Sequence, residues 1–333
     1  MKMVFYEVEP WQEEYLQKTL EGHELYFYEN CLSSPDVVEV DEVGDAEVLS
    51  TMGRGHHPNK AALDRFSNLK FIALRCTGFD HVDLKECKRR NIPVSNVPAY
   101  GDNTVAEQGF CLLLALMRRF PQYNSMVAAE DFSVGPIGFD LKGKTLGIVG
   151  AGRIGLYAIK IGRGFGMDVL AYDIIFNDFA RETLGYEYVS LEELLKNSDV
   201  ISLHAPYNKY THHMINKDNI RLIKPGAVLV NTARGAIIEL GALKQALEEG
   251  IFGGAALDVI EGEELLLKDR TQLSQEETEI LEQVLSIVRR DNVVFTPHIA
   301  YYTKEAAERI LDTTIANIKA FVEGHPQNVV SKT

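Results

Sequence analysis

The chain has 333 residues, with 48 acidic against 34 basic side chains and a formal charge of −14. That length exceeds what one hydrophobic core usually serves, so two domains are expected. The acidic balance and the lack of any Lys/Arg block disfavour nucleic acid or an anionic membrane as partner, and the longest strongly apolar run, 110–117, is far too short to span a bilayer.

The opening stretch, MKMVFYEVEP, reads as a first β-strand and not as a secretory signal. Further strands are expected at Leu25–Tyr28, Val48–Thr51, Phe71–Arg75 and Pro93–Asn96, with the first over Met3–Glu7. A long, strongly apolar helical pattern runs from Thr104 to Arg118, which places it at a domain or subunit contact. Strands follow at Thr145–Val149, Asp168–Tyr172, Val200–Leu203, Ala227–Asn231, Gly254–Asp258 and Val293–Thr296, most of them separated by helices. A last helical stretch spans Lys304 to Val322. Strands alternating with helices imply parallel sheets covered on both faces. The four cysteines, Cys31, Cys76, Cys87 and Cys111, show neither CxxC pairing nor metal-ligand spacing, and read as reduced thiols of a cytoplasmic protein.

The most informative stretch is KTLGIVGAGRIGLYAIKIGRGFGMDVLAYD. A short apolar strand runs without a spacer into Gly150-Ala151-Gly152-Arg153-Ile154-Gly155, then a helical segment, then a second strand that ends in Asp173. This is the Gly-x-Gly-x-x-Gly pattern in the context that gives it meaning. Gly150 permits the tight turn, Gly152 lets the backbone approach a pyrophosphate, and Gly155 lets helix and strand pack closely. The helix N-terminus offers N–H groups to the phosphates. Asp173 suits an adenosine ribose diol and repels a 2′-phosphate, which favours NAD over NADP.

The glycine loop sits mid-chain, so the first hundred residues are expected to form a separate domain to which the last helix returns. The expected division is 1–99 plus 299–333 for a substrate domain and 100–298 for the dinucleotide domain. Pro98 and Pro297 stand near the crossings, as hinges of a closing cleft would.

Ligands of open α/β sheets bind beyond the carboxyl ends of the strands. In the second domain those ends carry His204-Ala205-Pro206, Thr232-Ala233-Arg234-Gly235, Asp258 with Glu261 and Glu263 close behind, and Pro297-His298. An arginine, a carboxylate and a histidine at successive strand ends form a set for 2-oxo acid chemistry. Arg234 can grip an α-carboxylate with its two-pronged guanidinium. His298 can exchange a proton with the carbonyl or alcohol oxygen, oriented by a neighbouring carboxylate. Spacing does not choose between Glu261 and Glu263. The pairs His56-His57 and His212-His213 have no acid or cysteine at ligand spacing and read as surface or packing positions, so no metal site is expected.

Several long segments in order carry a resemblance: RCTGFDHVDL (75–84), NVPAYGDNTVAE (96–107), TLGIVGAGRIG (145–155), SDVISLHAPY (198–207), NTARGAIIE (231–239), GAALDVIEGEE (254–264) and TPHIAYYT (296–303). The chain resembles the D-isomer-specific 2-hydroxyacid dehydrogenases, and most closely their D-lactate dehydrogenase branch. The resemblance implies two Rossmann-like parallel-sheet α/β domains, the NAD-binding one inserted into a flavodoxin-like catalytic domain, and a homodimer through the NAD-binding domain. It implies Arg234 as the catalytic arginine, His298 as the acid/base and Glu263, not Glu261, as the group that orients it. Thr77 and Gly78 match a loop whose N–H groups receive the substrate carboxylate, while Tyr100 and Tyr301 match positions that line the substrate site. Arg153 and Ile154 match positions facing the pyrophosphate, and His204, Ala205 and Pro206 the adenosine side. Thr232, Ala233 and Asp258 match positions close to the nicotinamide. A carboxylate at 263 argues against formate dehydrogenase activity, where the superfamily carries glutamine. The long segment between Glu263 and His298 is similar to the lactate branch.

One position departs from that branch. Lactate-selective members often carry an aromatic residue where Met52 stands. A flexible thioether can fill a small pocket or yield to a larger group; Arg54 reads first as an exposed loop arginine and second as a partner for a second carboxylate. The expected reaction is pyruvate to D-lactate. The runner-up is a bulkier 2-oxo acid such as phenylpyruvate or 2-oxoisocaproate, or a dicarboxylic one. A dinucleotide-sensing corepressor without turnover is the remote alternative.

Overall fold

The structure, a computed structural model, describes residues 1–30, 40–53 and 58–331. Cys31, Arg54 and the His56-His57 pair lie outside the described residues. The chain divides into two compact units, Met1–Tyr100 with Thr303–Thr333, and Gly101–Tyr302.

The first unit is built on a parallel five-stranded sheet of β1 (Lys2–Tyr6), β2 (Glu24–Tyr28), β3 (Val48–Thr51), β4 (Phe71–Leu74) and β5 (Val94–Ser95), in the order β2-β1-β3-β4-β5. That is the flavodoxin-like order. Alternation along β1 explains how the sheet is covered on both faces. Val4 and Tyr6 join a core with Leu63, Ile72 and Cys87, whereas Met3 and Phe5 join one with Leu16, Leu311 and Ile318. Burial pushes the Cys87 thiol up to about 11, as expected of an inert core cysteine. The helix Lys304–Val322 returns to this unit as its spacing requires, burying Ala307, Ile310, Leu311, Thr314 and Ile318. Thr303 caps it by accepting the Ala306 N–H at 3.2 Å.

The second unit carries a parallel seven-stranded sheet: β6 (Thr145–Val149), β7 (Asp168–Tyr172), β8 (Glu187–Tyr188), β9 (Val200–Leu203), β10 (Ala227–Asn231), β11 (Phe252–Leu257) and β12 (Val293–Phe295). Its order, β12-β11-β10-β9-β6-β7-β8, reverses direction between β6 and β9. Such a switch point opens a crevice at the strand ends. β10 is buried along its whole length, with Leu229 in one core cluster and Val228 and Val230 in another.

The helix Asp102–Met117 buries Val105, Ala106, Phe110, Leu112, Leu113 and Leu116, and packs against the helix Arg153–Gly164 and β11. The core of its own unit therefore accounts for its apolar face. The exposed apolar side chains lie just beyond it, at Phe120, Phe132, Val134 and Ile137. No helix among the described residues is long and apolar enough to cross a membrane.

Candidate active site

The glycine loop is shaped by contacts that only glycine allows. Gly150 has φ +97°, and a Cβ there would stand 2.6 Å from the Ala205 nitrogen. A Cβ on Gly155 would stand 2.1 Å from the Gly150 carbonyl oxygen. A Cβ on Gly152 would meet nothing within 4 Å, so the space beyond it is open. Gly152 is also the N-cap of the helix Arg153–Gly164, and no side chain caps that end. An open, uncapped helix start beside a glycine turn fits a pyrophosphate. Asp173 closes the loop from below, its carboxylate accepting the Ala151 N–H at 2.7 Å and the Ile175 N–H at 2.9 Å. Arg153 pairs with Asp102 at 2.7 Å, and Ile154 packs partly into the core.

His204 and Ala205 follow β9 and touch the loop at Gly150, while Pro206 is exposed. The His204 ring hydrogen-bonds Ser202 Oγ at 2.9 Å, and burial pushes its pKa down to about 4, so the ring is neutral in ordinary buffers.

Beyond β10 the chain makes a tight turn. Asn231 is fully buried; its Oδ1 accepts the Ala233 N–H and its Nδ2 donates to the Arg234 carbonyl, both at 3.0 Å. These bonds fix the backbone on both sides of Arg234, which is half-buried and donates from Nη1 to the Ala233 carbonyl at 2.8 Å. Thr232 Oγ1 is buried with no hydrogen-bond partner among the described residues. An orphaned hydroxyl here suits a polar group of a bound dinucleotide.

Gly235 joins this turn to the next. A Cβ on it would lie 2.1 Å from the Ile260 carbonyl carbon and 2.2 Å from the Glu261 nitrogen. The turn bearing Arg234 thus rests directly on the one bearing Glu261 and Glu263. Gly262, with φ +84°, separates those two acids. Glu261 pairs with His213 at 2.7 Å and accepts the Leu240 N–H at 2.9 Å. Glu263 accepts the Ile260 N–H at 3.0 Å and pairs with His298 Nδ1 at 2.7 Å. Of the two acids it is Glu263 whose carboxylate meets His298, while Glu261 meets His213.

His298 is itself strained, a non-glycine residue at φ 55°. What holds it there is Asp258. The carbonyl of this fully buried residue accepts the His298 N–H at 2.8 Å. Its carboxylate accepts the Thr296 hydroxyl at 2.6 Å and the N–H groups of Ile299 and Ala300 at 2.9 and 2.8 Å. The Asp258 carboxylate, expected beside a nicotinamide, is engaged in lashing the histidine loop to the end of β11. Sequence reading missed Asn231 and Thr296. The signal was one polar residue closing an otherwise apolar strand and one opening the segment Thr296-Pro297-His298.

The remaining candidates lie in the first unit, except Tyr301, which belongs to the second. Thr77 donates to the Val97 carbonyl at 2.7 Å, and Asn96 Nδ2 donates to the Thr77 carbonyl at 2.7 Å, bracing the Thr77-Gly78 loop. Tyr100 gives its carbonyl to Arg309. Met52 is half-buried on the turn after β3.

Residues 110–300 match the family described as D-isomer specific 2-hydroxyacid dehydrogenase, NAD binding domain. The chain belongs to this family. The dehydrogenase is 36% identical to a glyoxylate reductase of Thermococcus litoralis over 319 residues, 93% of this chain and 91% of that one. It is 38% identical to an aromatic 2-oxoacid reductase of Clostridium sporogenes over 267 residues, 79% of each. Its fold matches a D-lactate dehydrogenase of Aquifex aeolicus, solved with NAD and lactic acid, with a TM-score of 0.89, 38% identity and full coverage of both chains. The dehydrogenase uses NAD, and its glycine loop, Asp173 and the Thr232 hydroxyl fit that cofactor.

The close approach at Gly155 yields a direct test. A Gly155→Ala chain must move the loop to relieve an overlap whose usual cost is about 1–3 kcal/mol. It is expected to bind NADH about tenfold more weakly or worse in a fluorescence titration. An unchanged Kd would mean that the loop shifts without disturbing the cofactor site.

Proposed function

We propose that this dehydrogenase reduces pyruvate to D-lactate. The observation that carries the reading is the 2.7 Å pairing of His298 Nδ1 with Glu263, on a turn packed against that of Arg234, within an NAD-binding unit. A carboxylate only accepts, so Nδ1–H donates to Glu263 and Nε2 is the nitrogen that exchanges a proton with the substrate. When bound, NADH supplies a hydride to C2 of the 2-oxo acid. His298 protonates the oxygen on C2, and Glu263 steadies the ring and the positive charge it carries before transfer. Arg234 grips the carboxylate and polarises the adjacent carbonyl. The N–H groups of Thr77 and Gly78 share the carboxylate; Tyr100, Tyr301 and Met52 bound the rest of the molecule. Gly150, Gly152, Arg153, Ile154 and Gly155 receive the pyrophosphate, Asp173 the adenosine ribose, and His204, Ala205 and Pro206 the adenosine side. Thr232 and Ala233 stand by the nicotinamide, and Asp258 acts by fixing His298.

The lactic acid bound to the Aquifex aeolicus relative supports pyruvate as substrate. A second reading, a bulkier 2-oxo acid, is favoured by a thioether at Met52 and by the name of the Clostridium sporogenes relative. We place the protein in the cytoplasm as a homodimer, with the exposed apolar side chains of 120–139 as the contact.

The experiment is NADH oxidation with pyruvate, phenylpyruvate, 2-oxoisocaproate, oxaloacetate and 2-oxoglutarate. A kcat/KM for pyruvate above the others by about tenfold or more is expected. A preference for an aromatic or branched acid would install the second reading. NADH binding with no turnover would point to a sensor instead of an enzyme.

A further inference from the structure

Glu7 directly follows β1, and its backbone is left-handed at φ 59° without being glycine. Such a conformation persists only where surrounding contacts impose it. Here the Glu7 N–H donates to the Asn30 carbonyl at 3.1 Å, and the Glu7 carbonyl accepts Arg75 Nη2 at 2.9 Å. Arg75 is a fully buried cation that also donates to Ser50 Oγ at 3.0 Å and to the Tyr6 carbonyl, and its own N–H reaches the Thr51 carbonyl at 2.9 Å. The ends of β1 and β3 are thereby tied to one guanidinium.

The strained backbone aims the Glu7 carboxylate at the turn after β3. One oxygen, Oε2, accepts three donors: the Thr51 hydroxyl at 2.7 Å, the Met52 N–H at 2.8 Å and the Gly53 N–H at 2.9 Å. The other side of the turn is closed as well. Gly53 has φ +79°, and a Cβ there would stand 2.2 Å from His81 Nε2, so the imidazole lies directly on its Cα. His81 belongs to the loop that bears Thr77 and Gly78. The turn that bears Met52 is thus held at Met52 and Gly53 by the Glu7 carboxylate and at Gly53 by the His81 ring, from the loop that bears Thr77 and Gly78.

We propose that Glu7 is a positioning residue for substrate selectivity: its carboxylate fixes the Thr51–Gly53 turn and so sets how closely Met52 approaches the substrate side chain. The proposal rests on the assignment of Met52 to the substrate. A small 2-oxo acid needs Met52 held close, whereas a large one needs it to yield. A clamp whose only effect was stability would lower activity on both alike.

The test compares kcat/KM for phenylpyruvate and pyruvate in the unaltered protein and in Glu7→Ala, Glu7→Gln and Met52→Ala, with NADH Kd and Tm measured for each. Glu7→Ala is expected to raise the phenylpyruvate-to-pyruvate ratio by about tenfold or more, chiefly through a higher KM for pyruvate. Glu7→Gln keeps an acceptor oxygen without the charge, so it moves the ratio the same way by less. NADH affinity, which belongs to the other unit, stays unchanged. If Met52→Ala shifts the ratio and neither Glu7 variant does, the inference fails and the assignment of Met52 stands. If Met52→Ala leaves the ratio unmoved, both fall. Equal losses on the two substrates, or a Glu7→Ala chain that does not fold beside a Glu7→Gln chain with the original ratio, would make Glu7 a residue of the fold alone.

Discussion

Arg234→Ala is expected to lower kcat/KM for the preferred 2-oxo acid more than any other substitution outside the acid/base pair. Removing one member of a desolvated, doubly hydrogen-bonded charge pair costs about 3–5 kcal/mol, or roughly two to four powers of ten in rate. The effect should be large here because the backbone around Arg234 is pinned by both ends of the buried Asn231 side chain and by the packing of Gly235. No neighbouring cation is carried on that turn to replace it. Arg234→Lys should recover little, since an ammonium is a point charge and cannot form the planar fork. NADH affinity should remain within about threefold. A loss of less than about tenfold in kcat/KM would remove Arg234 from the substrate.

The second large effect is expected at the dyad. His298→Ala should reduce kcat by about 10²–10⁴, the range typical of a general acid or base, with a much smaller change in KM. Glu263→Gln separates orientation from charge. Its amide oxygen can still accept the Nδ1–H, so the ring keeps its place, but the negative charge beside it is lost. A fall of about ten- to a hundredfold in kcat is expected, smaller than for the histidine itself. Adding His298→Ala to Glu263→Gln should cost little more than His298→Ala alone, because the two act as one unit. Fully additive losses would show that Glu263 acts by another route. Glu261→Gln is the control, for its carboxylate belongs to His213 and Leu240.

Much of this is legible in the sequence alone. The strands Thr145–Val149, Asp168–Tyr172, Val200–Leu203 and Ala227–Asn231 stand where they were expected, because each is an apolar run with clear punctuation on both sides. The two-residue strand Glu187–Tyr188 was missed: an edge strand so short, with one face in water, leaves no pattern. The sequence pattern extends β1 to Glu7 and β4 to Arg75, yet both residues lie outside the strands. Polarity at a strand end does not reveal whether a side chain is solvated or, like Arg75, buried on backbone carbonyls. Apolarity alone does not say which surface covers the helical pattern from Thr104 to Arg118; within its own unit it packs on the helix Arg153–Gly164 and β11. Glu261 and Glu263 were indistinguishable by spacing, since the αL turn at Gly262 that sends them to different histidines is a backbone event.

The position of Asp258 has an implication for how this protein can diversify. Arg234, Glu263 and His298 follow three adjacent strands of one unit, and buried hydrogen bonds from Asn231 and Asp258 brace their loops independently of residues 1–100. The proposed selectivity elements, Met52 and its Glu7 clamp, lie wholly in the other unit. On the proposed assignments, the acid/base pair and Arg234 are encoded apart from Met52 and its clamp. Random substitutions confined to codons around Glu7 and Met52 should yield variants with new preferences and an intact His298–Glu263 pair, whereas substitutions in codons 231–300 should mostly yield inactive ones. A lineage of such proteins can explore new acids by small steps, without passing through a form that has lost its chemistry.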